Sequence, residues 1–457
     1  MHNKPKECSL DHIVRRDDDL MQHLELKKRA RTIAVSTEDS EVRMQLRELG
    51  EPICCFGEDA ADRRERLRQK LAITDANLPK RHRIEQEKVK ENDDDNVCWY
   101  HKGSDELKEA REWILRYSLI KSKHRSENSK QYYLSLTETQ RKAKAQEYQK
   151  KIRDIESIST VACDTRPIVH CQFSPNNKYL ATASWSGDCK IFDVPGMEQK
   201  IVFKGHKTKM SAVVWNPLST ISDTSIDLAT SDHDGCVKLW SLSSQEPVGF
   251  VEGHEPHRVS KLDFHPSGRF LATTCSDYSW RLWDLTVGEE ILHQEGHSKE
   301  VYDINFHPDG SLILSGGFDS FGRVWDLRSG RCIYFLEGHS DKILSAVWSD
   351  NGCHMATGSA DNTAKIWDLR YKQCIYTIPA HQSSVSAVKF QPGLSQFILT
   401  TSYDHKTKIW AHPTWTPIKE MTEHTEKIMH SDISRDCNYI ATCSFDKQVK
   451  LWSVPSM

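Results

Sequence analysis

The run Val301–Leu327, VYDINFHPDGSLILSGGFDSFGRVWDL, decides how this chain folds. Short apolar alternations are separated by turn residues, which reads as strand, turn, strand, turn, strand. Pro308–Gly310 supplies a tight turn, and Pro266–Gly268 supplies another one repeat upstream. The stretch closes on Arg323-Val324-Trp325-Asp326, and that ending recurs. Its Trp is matched by Trp240, Trp283, Trp367, Trp410 and Trp452, so the five successive intervals are 43, 42, 42, 43 and 42 residues. A further copy, KIFD, places Phe192 in the Trp slot 48 residues before Trp240.

Two more markers keep register with the Trp. Gly-His stands at 205–206, 253–254, 296–297 and 338–339, and His381 and His424 continue the series without the Gly. An Asp lies six residues before each Trp: Asp234, Asp277, Asp319, Asp361, Asp404 and Asp446. Three residue types in fixed register six times over define a repeat of 42 to 43 residues, and such a period means a solenoid, propeller or array. A four-stranded unit of this size cannot bury its own faces, but radial stacking buries both and leaves only short edges.

The Gly-His and Trp-Asp signatures at this spacing resemble the WD40 family. The resemblance implies a mainly β fold, a seven-bladed WD40 β-propeller over 157–457, preceded by an extended α-helical N-terminal region. It implies that His, Asp and Trp converge within each blade, usually with a Ser or Thr. The sets His254, Asp277, Trp283; His297, Asp319, Trp325; and His339, Asp361, Trp367 are therefore expected to be structural networks. Each resembles a catalytic triad on paper, but a buried indole or imidazole needs a partner or costs about 1–3 kcal/mol, and the set repeats around the ring. The last blade is expected to borrow its outer strand from Ile158–Cys163, because Trp452 stands five residues from the end. Blade one departs from the pattern, with no Gly-His and Ser186 where the Asp belongs. Blade two carries extra residues within 219–228, expected as a longer loop.

In WD40 folds the residue before the turn Asp faces the mouth of the ring, and the residue after the first apolar position of the inner strand lies near it. These positions gather Trp185, Tyr302, Phe318, Leu344, Tyr403, Met429 and Phe445 on one rim. An exposed aromatic patch of this kind marks a partner-binding site. The alternative is that some rings fold inward and fill the channel. Lys204, Lys207, Lys209, Arg258 and Arg281 are expected around the same face, either solvated or touching an RNA backbone.

The N-terminal third differs in composition. Residues 1–156 carry 65 charged residues, against 62 in the 301 residues that follow, so a boundary is placed near 157. Residues 1–32 read as a disordered charged tail. Residues 33–70 read as a helical unit: Val42, Leu46 and Leu49 form a helical stripe, Ser40 can cap it, Gly50 can end it, and Glu58–Arg68 reads as a second helix. Residues 71–97 read as a charged linker, and 98–156 as a helical segment with helices over Asp105–Lys121 and 137–156. The string VRMQLRELGEPICCFGE (42–58) resembles the splicing-factor motif of pre-mRNA-processing factors. With the propeller behind it, it resembles the family of WD40 subunits of the U4/U6 small nuclear ribonucleoprotein. The resemblance continues at WYHKGSDELKEAREWILRYSL (99–119) and through the repeats.

That resemblance implies nuclear residence and a scaffold role in pre-mRNA splicing, within the U4/U6 particle and its assembly with U5. It implies other pre-mRNA-processing factors and a cyclophilin-type isomerase as partners, with U4/U6 RNA in the same particle. Leu46, Leu49, Pro52 and Phe56 are the expected partner contacts of the motif. The basic runs at 27–31 and 79–83 could serve nuclear import.

No catalytic, cofactor or metal site is expected. The chain contains no GxxxxGK[ST], GxSxG or HExxH string, and none of its fourteen Cys stands in a CxxC pair. That Cys usage, with no opening secretion signal and no long apolar run, suggests a reducing intracellular compartment. A WD40 substrate adaptor or signalling scaffold is the competing expectation, since fold alone does not determine function.

Overall fold

In a computed structural model, the described residues are 38–53, 58–77, 104–222 and 224–453, with a few positions between 30 and 36. They form two compact units, one within 1–102 and one within 103–457.

The second unit is built on seven four-stranded antiparallel sheets. Within each sheet the chain runs from the axis outward, as in Val301–Phe306, Leu312–Gly317, Gly322–Asp326 and Arg331–Leu336 (β14 to β17). The inner three strands are almost wholly buried, because each blade face is covered by the next blade. One shared layer joins Phe203 of blade one to Met210, Trp215 and Trp240 of blade two. The seventh sheet closes the ring: the strand Glu156–Ala162 (β1) pairs antiparallel with Gln448–Ser453 (β28), Thr160 opposite Lys450. The closing strand thus falls where Ile158–Cys163 places it.

Side chains of the inner strands stitch adjacent blades through backbone groups. Asp263 accepts from the Phe306 N–H at 2.7 Å, Asp303 from Ala346 at 2.8 Å, and Ser345 from Val388 at 3.1 Å. Asp432 closes the circle by accepting from Phe173 at 2.8 Å. These bonds give polar groups near the axis the partners that burial demands.

Inside the blades a hydroxyl is the hub. Ser315 accepts the Trp325 indole N–H at 2.9 Å and lies 2.8 Å from His297 Nε2, while His297 Nδ1 meets Asp319 at 3.0 Å. Thr357 joins Trp367 and His339 in the same way, and His339 meets Asp361 at 2.7 Å. In the tautomer these contacts fit, Nδ1–H donates to the carboxylate and Nε2 accepts the hydroxyl proton, so the polar side-chain atoms of these two hubs have partners.

Blades one, two and three depart from the full set. His254 reaches Thr273, which accepts from Trp283, but Asp277 makes no hydrogen bond to His254. Asp277 instead binds Arg281 at 2.9 Å and Ser279 at 2.6 Å, and His254 Nδ1 is buried without a partner. In blade two the expected Asp234 is replaced by Asp232, 2.9 Å from His206. In blade one Asp164 accepts from Ser186 at 2.6 Å, a substitute for the missing histidine pair.

The blades begin at Glu156, beside the charge boundary. Helices Asp105–Ser135 (α3) and Glu138–Arg153 (α4) pack on them, so the compact unit that holds the blades starts near 103. Leu107, Ala110 and Ile114 share a buried layer with Phe270, Ile291 and Leu327. Arg125 grips Asp309 at 2.7 Å, and Ile152 and Ile155 pack with Ile433 and Trp452. The first helix is twice the expected length because these anchors recur along it. A capping box at Thr137 and Gln140 starts the second.

The first unit holds helices Asp39–Glu48 (α1) and Ala60–Asn77 (α2). Val42, Leu46 and Leu67 are fully buried between them, with Leu49 and Leu71 alongside. Ion pairs add Arg66 to Glu58 at 2.6 Å and Lys70 to Glu51 at 2.5 Å. Glu38, not Ser40, occupies the N-cap position, so Ser40 lies inside the helix. Gly50, at φ +70°, ends it, with its N–H on Arg47 O and that of Glu51 on Leu46 O. The second helix runs past residue 70 into the expected linker.

Candidate functional site

The inner-strand and turn geometry builds a funnel on one face of the ring. In each blade the pairing of the first two strands slips by a β-bulge near the start of the inner strand, as between Val301 and Asp303, Ile343 and Ser345, and Ile428 and His430. The extra residues are Tyr302, Leu344 and Met429, and a bulge re-aims its side chain. The turn residue is tied alongside: the Phe318 N–H donates to Glu300 O at 2.8 Å, Tyr403 to Ser384 at 3.1 Å, and Phe445 to Lys427 at 2.9 Å.

All seven expected rim residues, Trp185, Tyr302, Phe318, Leu344, Tyr403, Met429 and Phe445, line one cavity of about 400 Å³. They do not form an exposed patch. Leu344 is buried and the other six are half-buried. The reason is mutual packing: Tyr302 stacks on Phe318 with centroids 5.2 Å apart, and Trp185 meets Phe445 edge-on at 4.9 Å. The rings form the wall of a cup.

Ammonium groups cap that wall. Lys209 Nζ lies 4.4 Å from the Trp185 ring centroid, Lys342 5.0 Å from Phe318, and Lys427 5.4 Å from Tyr403. Arg258 lines the same cavity. Of the expected basic ring, Lys209 and Arg258 take this position. Arg281 is drawn away by Asp277, Glu290 and Gly253, while Lys204 and Lys207 do not line the cavity. Lys342 and Lys427 were not expected, yet they share the slot of Lys209 and Arg258, one residue before the inner strand.

The described residues bring one trio of metal-type ligands together, His206, Asp232 and Cys236, with ligand atoms within 4.8 Å. His206 is already committed through both nitrogens, to Asp232 at 2.9 Å and Thr230 at 2.7 Å. The trio is best read as the blade-two form of the structural network. In the first unit, Leu46 is buried, Leu49 partly so, and Pro52 exposed; Phe56 lies outside the described residues, as do the basic run at 79–83 and, apart from Ala30, that at 27–31.

Seven closed blades, a hydroxyl–imidazole–carboxylate hub in the blades that keep the pattern, and a funnel at the axis define a WD40-repeat β-propeller. The WD domain, G-beta repeat model matches residues 155–193, 197–241, 245–284, 288–326, 330–368, 372–411 and 415–453, and the pre-mRNA processing factor 4 (PRP4) like model matches 42–69. The chain belongs to the Prp4 family. It is 37% identical over 432 residues to U4/U6 small nuclear ribonucleoprotein PRP4 of Saccharomyces cerevisiae, covering 92% of this chain and 91% of that one. It is 43% identical over 446 residues to the PRP4-like protein of Arabidopsis thaliana, covering 96% and 79%. With U4/U6 small nuclear ribonucleoprotein Prp4 of Mus musculus it shares 51% identity over 270 residues, 58% of this chain and 51% of the relative. The match thus spans about half the length of the mammalian relatives.

Proposed function

We propose that this chain is a non-catalytic scaffold subunit of the U4/U6 small nuclear ribonucleoprotein and of its larger assembly with U5, acting in pre-mRNA splicing in the nucleus. The observation that carries the reading is the pairing, on one chain, of the helical motif at 42–69 with a closed propeller. The propeller's triad-like side chains are engaged in internal hydrogen bonds, which leaves them structural work. Partner segments dock in two places. The funnel takes an apolar or aromatic anchor flanked by acidic residues, which suit Lys209, Arg258, Lys342 and Lys427. The helical unit offers exposed Met44, Pro52 and Ile73 beside its buried stripe. The partners are other pre-mRNA-processing factors and a cyclophilin-type isomerase.

Purification of the tagged full chain from nuclear extract tests this. Paired U4 and U6 RNAs and their proteins should accompany it. Recovery of ubiquitin-ligase subunits without RNA would instead establish the adaptor reading.

A further inference from the structure

The helices that lead into the propeller are far more basic than the blades. Residues 116–153 hold eleven Lys or Arg against three Asp or Glu, whereas 157–457 hold 28 against 34. At a rise of about 1.5 Å per residue, α3 and α4 extend roughly 46 and 24 Å. They are fixed to the blades, not trailing from them. Arg125 reaches Asp309 and Asn351 in the turns between first and second strands, the end of the blades opposite the funnel. Tyr148 meets Gln391 at 3.1 Å and stacks on Phe397, and Lys419 donates to Arg153 O at 3.0 Å.

The outward side of α4 carries no large apolar residue. Lys130, Lys144, Lys150 and Arg153 are exposed, and none is ion-paired among the described residues. A protein partner would bury apolar and aromatic anchors, and interface cores are depleted in Lys. The exposed apolar side chains lie on α3, with Leu115, Leu119 and Ile120 in its first half and Tyr133 and Leu134 at its end, and none lies on α4. Unpaired cations carried on helices that are fixed to the blades suit a polymer of anions.

We propose that the solvent face of α4, with Lys130 at the end of α3, lies along the phosphate backbone of an RNA. The phosphate chemistry follows from the charges; that the polymer is RNA rests on the splicing reading above. Contacts of this kind position the particle without reading sequence.

The test measures binding of the full chain to a fluorescein-labelled 20-nucleotide RNA of mixed sequence, in KCl from 50 to 200 mM. Lys130→Gln, Lys144→Gln, Lys150→Gln and Arg153→Gln combined should weaken binding at least tenfold at 100 mM. The slope of log K against log salt should become shallower by about 3, since each lost phosphate contact removes about 0.7–0.9. Lys144→Glu alone, at an exposed site, guards against misfolding and should still weaken binding severalfold. Lys342→Gln with Lys427→Gln, on the opposite face, should change little. The proposal fails if the fourfold variant binds with the same affinity and slope, or if wild-type binding is insensitive to salt. It also fails if that variant loses a protein partner while its RNA affinity stands. A variant still recovered with the particle but unaltered in RNA binding would remove this inference and leave the scaffold reading intact.

Discussion

His339 is joined to Asp361 by a 2.7 Å hydrogen bond, and the equivalent pair in blade three, His254 and Asp277, is not joined. Both carboxylates also hold their own turn, Asp361 through Thr363 and Asp277 through Ser279. The difference between them therefore isolates the imidazole bond. Asp361→Ala leaves a buried Nδ1–H without an acceptor, at about 1–3 kcal/mol. Asp277→Ala releases Arg281, which keeps Glu290 and Gly253, and the lost pair contributes about 1 kcal/mol or less. Urea unfolding should rank Asp361→Ala as clearly the more damaging. Equal midpoints would show that the imidazole–carboxylate bond contributes nothing of its own.

Acid should unfold the propeller well before its carboxylates titrate as a class. Burial pushes His254 and His265 down to about 4, and drives the stacked pair His170 and His430 well below the ordinary imidazole value. The unfolded chain takes up these protons near pH 6.5, so it binds more protons than the folded chain between 6.5 and 4. Stability from these groups is complete above 6.5 and is lost as the pH falls through that window. Asp277 and Asp404 are held near 2, Asp404 against burial by its bond to His381, and extend the loss below pH 3.9. Asp263, raised by burial to about 7, and Asp350 and Asp432, raised by burial as well, work the other way, but burial also lowers His233, His307, His354 and His412, so the imidazoles prevail. Calorimetry should show a melting temperature that is highest near neutrality and declines steadily from pH 6.5 to 4. A flat profile across that range would contradict the buried-imidazole account.

The funnel rings should matter both to partners and to stability. Phe318 is half-buried, stacked on Tyr302 and capped by Lys342. Phe318→Ala should lower stability by about 1–2 kcal/mol, the sum of a lost aromatic pair and part of a buried side chain. Lys342→Gln with Lys427→Gln should leave the melting temperature within a degree or two, because both ammonium groups are solvent-exposed. Both changes should reduce the protein partners recovered with the chain. Partner recovery unaffected by either would move the docking site away from the funnel.

Much of this was legible from residues alone, for physical reasons. The Trp, His and Asp recur because each blade solves the same burial problem, so the repeat count followed from spacing, while the closing strand and the seven rim positions followed from the resemblance to WD40 folds. The exposure of the rim rings did not follow: whether Tyr302 faces water or Phe318 depends on a bulge and a neighbouring turn that a single repeat does not display. The Asp277 exchange was hidden for a similar reason, since Arg281 competes from the next strand. The length of α3 was missed because its anchors, Ile114 on Phe270 and Arg125 on Asp309, lie far apart in sequence.

Those anchors make the start of the folded unit a sharp experimental question. A chain beginning at residue 104 keeps α3, α4 and the closing strand, and should melt where the full chain's propeller melts. A chain beginning at 157 keeps most of β1 but uncovers the layer on which Leu107, Ala110 and Ile114 sit. Each fully buried Leu or Ile contributes about 1.5–3 kcal/mol, so the loss should be several kcal/mol, with apolar surface newly open to a dye. It also leaves Asp309, itself buried, without Arg125. A chain beginning at 165 removes the strand opposite Gln448–Ser453 and leaves the seventh blade with an open edge, and should aggregate. The order 104, 157, 165 in falling melting temperature is the expected result. A chain from 157 as stable as one from 104 would mean that the helices rest on the propeller without supporting it.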